Sequence, residues 1–136
     1  GWAGVGCGLR GGIAAKLARR ALPVGCIIGD GCFQRTCGEL ATARRMGLAI
    51  PFVVLNDSTL SLIHIKQSQR QYANSGIALG TGNSGPTPHH HFGAPAIGAA
   101  SITDLKEHLT AAFAADGPTV IETHVDPAHY METVFD

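Results

Sequence analysis

Two apolar runs most constrain what this chain can fold into. "PVGCII" (23–28) and "AIPFVVLN" (49–56) are apolar at nearly every position instead of alternating. A strand buried on both faces has that pattern, and such strands belong to parallel sheets sandwiched by helices. Between the runs, "QRTCGELATARRMG" (34–47) reads as a helix with Leu40, Ala43 and Met46 facing inward, Arg44 and Arg45 outward, and Gly47 at the stop. Before them, "GLRGGIAAKLARRA" (8–21) places Leu9, Ile13, Ala14, Leu17 and Ala21 on one helical face. Downstream come a helix in "TLSLIHIKQSQRQY" (59–72), a weak strand in "APAIGAA" (94–100), a helix over 103–117 capped by Thr103 and ended at Gly117, and a last strand in "PTVIETHV" (118–125). This alternation predicts an α/β fold: an open, mostly parallel sheet with helices on both faces, in one domain over 1–136. Residues 80–92, rich in Gly, Pro and His without periodicity, read as an irregular loop.

In open α/β sheets, ligands sit beyond the C-terminal ends of the strands. The first run ends at Gly29-Asp30-Gly31 and the second at Asn56-Asp57. If the two strands are neighbours, their tips lie about 5–10 Å apart, from the inter-strand spacing. Oxygen-bearing side chains meeting there suit a hard cation. The glycines let the backbone approach a ligand, and the helix start that follows favours an anion. Mg²⁺ bridged to a phosphate fits both halves of that environment, because Mg²⁺ uses one or two carboxylates together with water and phosphate oxygens.

Other features narrow the function by exclusion. Ten Lys plus Arg balance ten Asp plus Glu, which supplies no basic surplus for nucleic acid. No apolar run approaches a membrane span. Cys7, Cys26, Cys32 and Cys37 form no CxxC pair and read as reduced thiols of a cytoplasmic protein. His89, His90 and His91 have no Cys or carboxylate spaced around them for a metal site. Charged residues are only 15%, which implies surface covered by another domain or subunit. Gly6-x-Gly8-x-x-Gly11 fits a dinucleotide fingerprint, but that motif needs a strand immediately before it, and only five residues precede Gly6.

"GDG", 24 residues, then "ND" resembles the diphosphate–metal signature of thiamine-diphosphate enzymes. The likeness extends through "GDGCFQRTCGELATARRMGLAIPFVVLNDSTLSLIHIKQ" to the cofactor-binding C-terminal domain of acetolactate synthase and related 2-oxo acid decarboxylases. It takes in "GVGCGLRGGIAAKLA" before and "GPTVIETHVDP" after. The resemblance implies thiamine diphosphate and Mg²⁺ as cofactors. Asp30, Asp57 and the Thr59 carbonyl would hold the metal, with Asp57 where the family usually has Asn. Gly29, Gly31 and Cys32 would lie against the diphosphate. Val5 would support the bent cofactor, and the Ala3 carbonyl would lie near its aminopyrimidine. Leu62 and Lys66 would line the substrate site.

The resemblance also implies what lies elsewhere. The activating glutamate belongs to a pyrimidine-binding domain of the same or a partner subunit, so no catalytic residue is expected in this chain. FAD is expected only in a middle domain not among these residues. The chain is expected to be an N-terminally incomplete fragment, inactive alone, of a homodimeric or tetrameric enzyme acting on a small 2-oxo acid. Several positions depart from the family pattern: Val5 is shorter than the usual residue, Arg10-Gly11-Gly12 replace Pro-Ala-Ala, Arg35 stands where an apolar residue is common, and 83–91 replace an amphipathic helix, as a reading-frame slip would. They leave open a non-catalytic pseudoenzyme or assembly module.

Overall fold

The computed structural model describes residues 4–79 and 90–130. Five helices and five strands follow in the order α1 (Cys7–Ala18), β1 (Cys26–Gly29), α2 (Asp30–Thr36), α3 (Leu40–Arg45), β2 (Pro51–Asn56), α4 (Ser61–Gln69), β3 (His90–His91), β4 (Ala94–Ala99), α5 (Ile102–Phe113) and β5 (Thr119–His124), with short 3₁₀ turns at Cys37–Glu39 and Pro127–His129. The sheet order is β1-β2-β5-β4-β3. Strands β1, β2, β5 and β4 run parallel, and β3 joins β4 antiparallel. The α/β expectation therefore holds. Among the described residues, no helix is long and apolar enough to cross a membrane.

The sheet is packed on both faces. On one, Ile28, Phe52, Val54 and Val120 join Leu9 and Ile13 of α1, Phe33 of α2, and Leu40 and Ala43 of α3 in one buried cluster. On the other, Ala99 and Ile121 pack against Ala112, Leu105 and Leu109 of α5. Cys26 sits beneath α1 with its thiol donating to the Gly8 carbonyl at 3.1 Å, and burial pushes its pKa up. That environment suits a structural thiol.

Several local expectations are corrected. Strand β1 is not buried on both faces: Ile27 is 73% exposed, because β1 is the outermost strand and the cover of α5 centres on β4 and β5. Within α1 only Leu9, Gly12 and Ile13 are buried; Ala14 and Leu17 lie outward, and Ala21 falls past the helix end and is exposed. The helix expected over 34–47 begins earlier, at Asp30, and is broken by the 3₁₀ turn at Cys37–Glu39. There Thr36 Oγ1 donates to the Cys32 carbonyl at 3.2 Å, the back-bonding that competes with helix continuation. Met46 is exposed rather than inward, since α3 closes just before it. Gly47 takes φ +59, and Leu48 N–H reaches back to the Ala43 carbonyl at 3.0 Å, a left-handed helix stop.

The N-cap of α5 is Ser101, not Thr103. Its hydroxyl accepts from Asp104 N–H at 3.1 Å, while the Asp104 carboxylate accepts from Ala100 N–H at 3.1 Å. The irregular loop expected at 80–92 is ordered at its end. His90 and His91 pair with Pro95 and Ala94 across a two-residue turn in which Phe92 and Gly93 both have positive φ, the geometry that matches hairpin twist. Residues 80–89 lie outside the described residues.

The two adjacent glycines of α1 are not equivalent. A Cβ at Gly12 would collide with Cys26 Sγ, whereas one at Gly11 would meet nothing within 4 Å. Gly11→Ala is therefore expected to stabilise the fold by about 0.5–1 kcal/mol through helix propensity. Gly12→Ala is expected to destabilise it by about 1–3 kcal/mol through overpacking. Urea denaturation of the two variants checks the opposite signs.

Candidate functional site

The parallel pairing of β1 with β2 brings the two motifs together. Gly29 is in register with Leu55, so the next residues, Asp30 and Asn56-Asp57, emerge side by side at the C-terminal edge. Asp30 is the first residue of α2, where a carboxylate meets the positive end of the helix. One of its oxygens accepts from Gly31 N–H at 2.7 Å and the other from Ser58 N–H at 2.9 Å. The Gly31 N–H, expected to face a diphosphate, is thus directed at Asp30 itself. A side chain at Gly31 would strike Leu60 Cδ2 at 2.6 Å, so it would need the Leu60 side chain to shift.

The loop after β2 is internally bonded. Asn56 Oδ1 accepts from Ser58 N–H at 2.7 Å and from Ser58 Oγ at 3.1 Å. Asp57 accepts from Thr59 N–H at 2.9 Å and from Ser61 Oγ at 2.6 Å. The Thr59 carbonyl accepts from Ser61 N–H at 2.9 Å. Ser58 takes φ +60, a left-handed conformation that costs a non-glycine residue about 1–2 kcal/mol. Residues 77–79 return to brace this loop: Leu60 N–H donates to the Ile77 carbonyl at 2.8 Å and Leu79 N–H to the Ser58 carbonyl at 3.0 Å.

These elements enclose a cavity of about 350 Å³. Its lining includes Val5, Gly29, Asp30, Gly31, Cys32, Asp57, Thr59 and Leu62, which are the expected site residues apart from Ala3 and Lys66. Ala3 lies outside the described residues. Lys66 is exposed one turn further along α4 and does not line the cavity. Two lining residues carry chemistry that the sequence reading did not assign to the site. Arg35 is the one basic residue among the described lining residues. Tyr130, from the segment after β5, hydrogen-bonds through its side chain to Asp57, and burial together with the Asp57 and Asp30 charges pushes its phenol pKa up. Arg35 was visible as a cation in an otherwise apolar position. Nothing in the sequence around Tyr130 pointed to a contact with a residue so far away along the chain.

Electrostatics favour a cation here. Burial, with the neighbouring Asp57 charge as a further cause, raises the Asp30 carboxyl above its ordinary range, and the N–H donors of Gly31, Ser58 and Asp57 only partly oppose this. A carboxylate penalised by burial and by a neighbouring negative charge is relieved by a divalent ion. Among the described residues, no group of three or more His, Cys, Asp or Glu could hold a metal. A metal placed here would draw the rest of its ligands from carbonyl, water or ligand oxygens. That donor set fits Mg²⁺ and a phosphate better than a metal such as Zn²⁺, whose structural sites are closed by four protein ligands.

Residues 1–123 match the family model for the thiamine pyrophosphate enzyme C-terminal TPP-binding domain, and the chain belongs to that family. It is 32% identical over 123 residues to a Mycobacterium tuberculosis protein assigned as an acetolactate synthase large subunit, IlvB2, covering 90% of this chain and 22% of that one. It is 31% identical over 123 residues to the acetolactate synthase of Bacillus subtilis, covering 90% of this chain and 21% of that one. The chain thus spans about a fifth of the length of these relatives. In fold it is similar to the thiamine diphosphate-dependent 4-hydroxybenzoylformate decarboxylase of Rhodococcus jostii RHA1, with a TM-score of 0.76 at 23% identity over 91% of this chain and 24% of that one. The chain is therefore an acetolactate synthase-like TPP-binding domain, and the dinucleotide fingerprint at Gly6–Gly11 falls within its matched length.

The raised Asp30 pKa sets a pH dependence for the metal-free chain. A carboxyl whose folded pKa exceeds its unfolded value contributes stability below the unfolded value and loses it as pH rises through the folded one. Metal-free stability is expected to decline as pH rises from the ordinary carboxylate range toward neutrality. Asp30→Asn is expected to flatten that decline. Urea midpoints of both proteins across this range, with chelator present, check it.

Proposed function

We propose that this chain is the cofactor-binding part of a thiamine diphosphate-dependent 2-oxo acid decarboxylase or carboligase, and that it grips the cofactor by its Mg²⁺–diphosphate end. The observation that carries the reading is the convergence of Asp30 and Asp57 from the tips of two adjacent parallel strands onto one cavity. In this reading Asp30, Asp57 and the Thr59 carbonyl hold Mg²⁺. The start of α2, at Gly31 and Cys32, would lie beside the phosphates, with the Gly31 N–H itself engaged by Asp30. Bound thiamine diphosphate supplies the electron sink for loss of CO₂ from a small 2-oxo acid.

The chain's own residues bind and orient. Gly29 and Gly31 keep the backbone low where the diphosphate approaches. Val5 lies on the cavity wall as an apolar support. Arg35 offsets the charge that Asp57 adds beside the phosphates, a role open to a guanidinium because it stays charged at any working pH. In this reading, activation of the cofactor falls to a glutamate of a pyrimidine-binding domain on the same or a partner subunit. Val5 at 60%, Leu62 at 45% and Ile63 at 47% exposure form an open apolar rim on the cavity, the surface such a domain would cover. A cytoplasmic homodimer or tetramer follows from the same reading.

The test is a thermal-shift titration of the chain with thiamine diphosphate and Mg²⁺, separately and together. Stabilisation is expected only with both ligands, and it disappears in Asp30→Ala. No shift at millimolar concentrations, even with a pyrimidine-binding domain supplied, would favour a pseudoenzyme or assembly role instead.

The rim makes a second prediction. Replacing Leu62 and Ile63 together by Ser is expected to leave the urea midpoint of the isolated chain nearly unchanged, since both side chains are already substantially exposed. The same change is expected to weaken association with a supplied pyrimidine-binding domain at least tenfold in calorimetry.

A further inference from the structure

Glu122 lies on β5, outside the two motifs, yet it reaches the same site. Its Oε1 accepts a short hydrogen bond from Asn56 Nδ2. Strand register places Glu122 beside Val54, two residues before Asn56. The orientation of the Asn56 amide is fixed by its partners. Its oxygen accepts from Ser58 N–H and Ser58 Oγ, and its nitrogen faces a carboxylate. A flipped amide would set oxygen against carboxylate and nitrogen against two donors. The Ser58 N–H is shared between Asn56 Oδ1 at 2.7 Å and Asp30 Oδ2 at 2.9 Å. An unbroken relay therefore runs from Glu122 through Asn56 and Ser58 to Asp30, across the tips of β5, β2 and β1.

We infer that Glu122 is a positioning residue for the metal loop, acting through Asn56 to hold Ser58 in its left-handed conformation and so to present the Asp30 carboxylate. The inference rests on the proposed Mg²⁺–diphosphate reading for its consequence, though not for its geometry. A left-handed serine persists only where its surroundings hold it. Here the holding group is an amide acceptor, and that acceptor is itself held by a carboxylate on a third strand. The Glu122 carboxylate polarises the Asn56 amide and makes its oxygen a stronger acceptor, so removing it weakens the hold of Asn56 on Ser58. Glu122 also borders, with Asp30, Gln34 and Asn56, a small cavity of about 150 Å³. The position of its carboxyl must therefore be tested apart from its charge.

The experiment compares wild type, Glu122→Ala, Glu122→Gln and Asp30→Ala on the full chain. Glutamine keeps an acceptor oxygen for Asn56 and removes the charge. The first readout needs no ligand: amide hydrogen exchange at Ser58 in the metal-free chain. Protection there is expected to fall at least tenfold in Glu122→Ala and to stay within threefold of wild type in Glu122→Gln. The second is calorimetric affinity for thiamine diphosphate with saturating Mg²⁺, expected to drop at least tenfold in Glu122→Ala and to recover in Glu122→Gln.

Wild-type exchange at Ser58 in Glu122→Ala overturns the inference and leaves the cofactor reading standing. Equal losses in Glu122→Gln and Glu122→Ala overturn it as well, since charge and not position would then matter. If Glu122→Ala does not fold, Glu122→Gln decides alone, and loss of Ser58 protection in it rejects the relay. Absence of wild-type binding, with the exchange pattern as expected, defeats the cofactor reading while the relay remains.

Discussion

One backbone N–H, that of Ser58, organises the candidate site. It donates at once to the Asp30 carboxylate and the Asn56 amide, joining the end of the first sheet strand to the end of the second. That junction exists only because β1 and β2 lie side by side in parallel register. Had another strand come between them, the two acidic motifs would be separate turns, each satisfied locally. The uniform burial of β2 secures the arrangement, since Phe52, Val53 and Val54 are covered on both faces. A one-residue slip of such a strand would reverse every side chain and displace its tip.

The site tolerates a repulsive pair of carboxylates because each is surrounded by donors. Asp30 accepts from two backbone N–H groups, and Asp57 from a backbone N–H and a serine hydroxyl, with the Tyr130 side chain also bonded to it. Asp30 nevertheless remains raised in pKa, so these donors do not compensate for burial in full. In the proposed reading, a cation bridging to an anion would offset the negative charge of this site, next to a helix start and one arginine. Pre-bonded carboxylates of this kind need little rearrangement to accept a metal, which lowers the ordering cost of binding.

Much of this was legible in the sequence, for identifiable reasons. The continuous apolarity of 51–54 pointed to a covered strand, and Gly-Asp-Gly at 29–31 followed by Asn-Asp at 56–57 marked the strand tips. Illegible were features that depend on which strand lies outermost and on contacts between distant segments. Apolar composition at Ile27 could not reveal that β1 is an edge. The break after Thr36 depends on a hydroxyl choosing a backbone carbonyl, which helical periodicity does not register. Ser101 and Thr103 are equivalent caps by chemistry, and only the reciprocal bond with Asp104 decides between them. Glu122 carries no local signal within its strand, and its partner Asn56 is 66 residues away. Tyr130 reaches Asp57 from beyond the last strand, again without a local signal. Glu122 and Tyr130 reach the site from the far end of the chain, beyond what local reading registers.

The outermost position of β1 has a practical corollary. Among the described residues, no strand pairs with its outer side, and the large aliphatic Ile27 stands beside that open row of amides and carbonyls. Bare strand borders of this kind recruit other borders. Handled by itself at high concentration, the polypeptide carries an adhesive seam along this border, separate from the apolar rim of the ligand pocket.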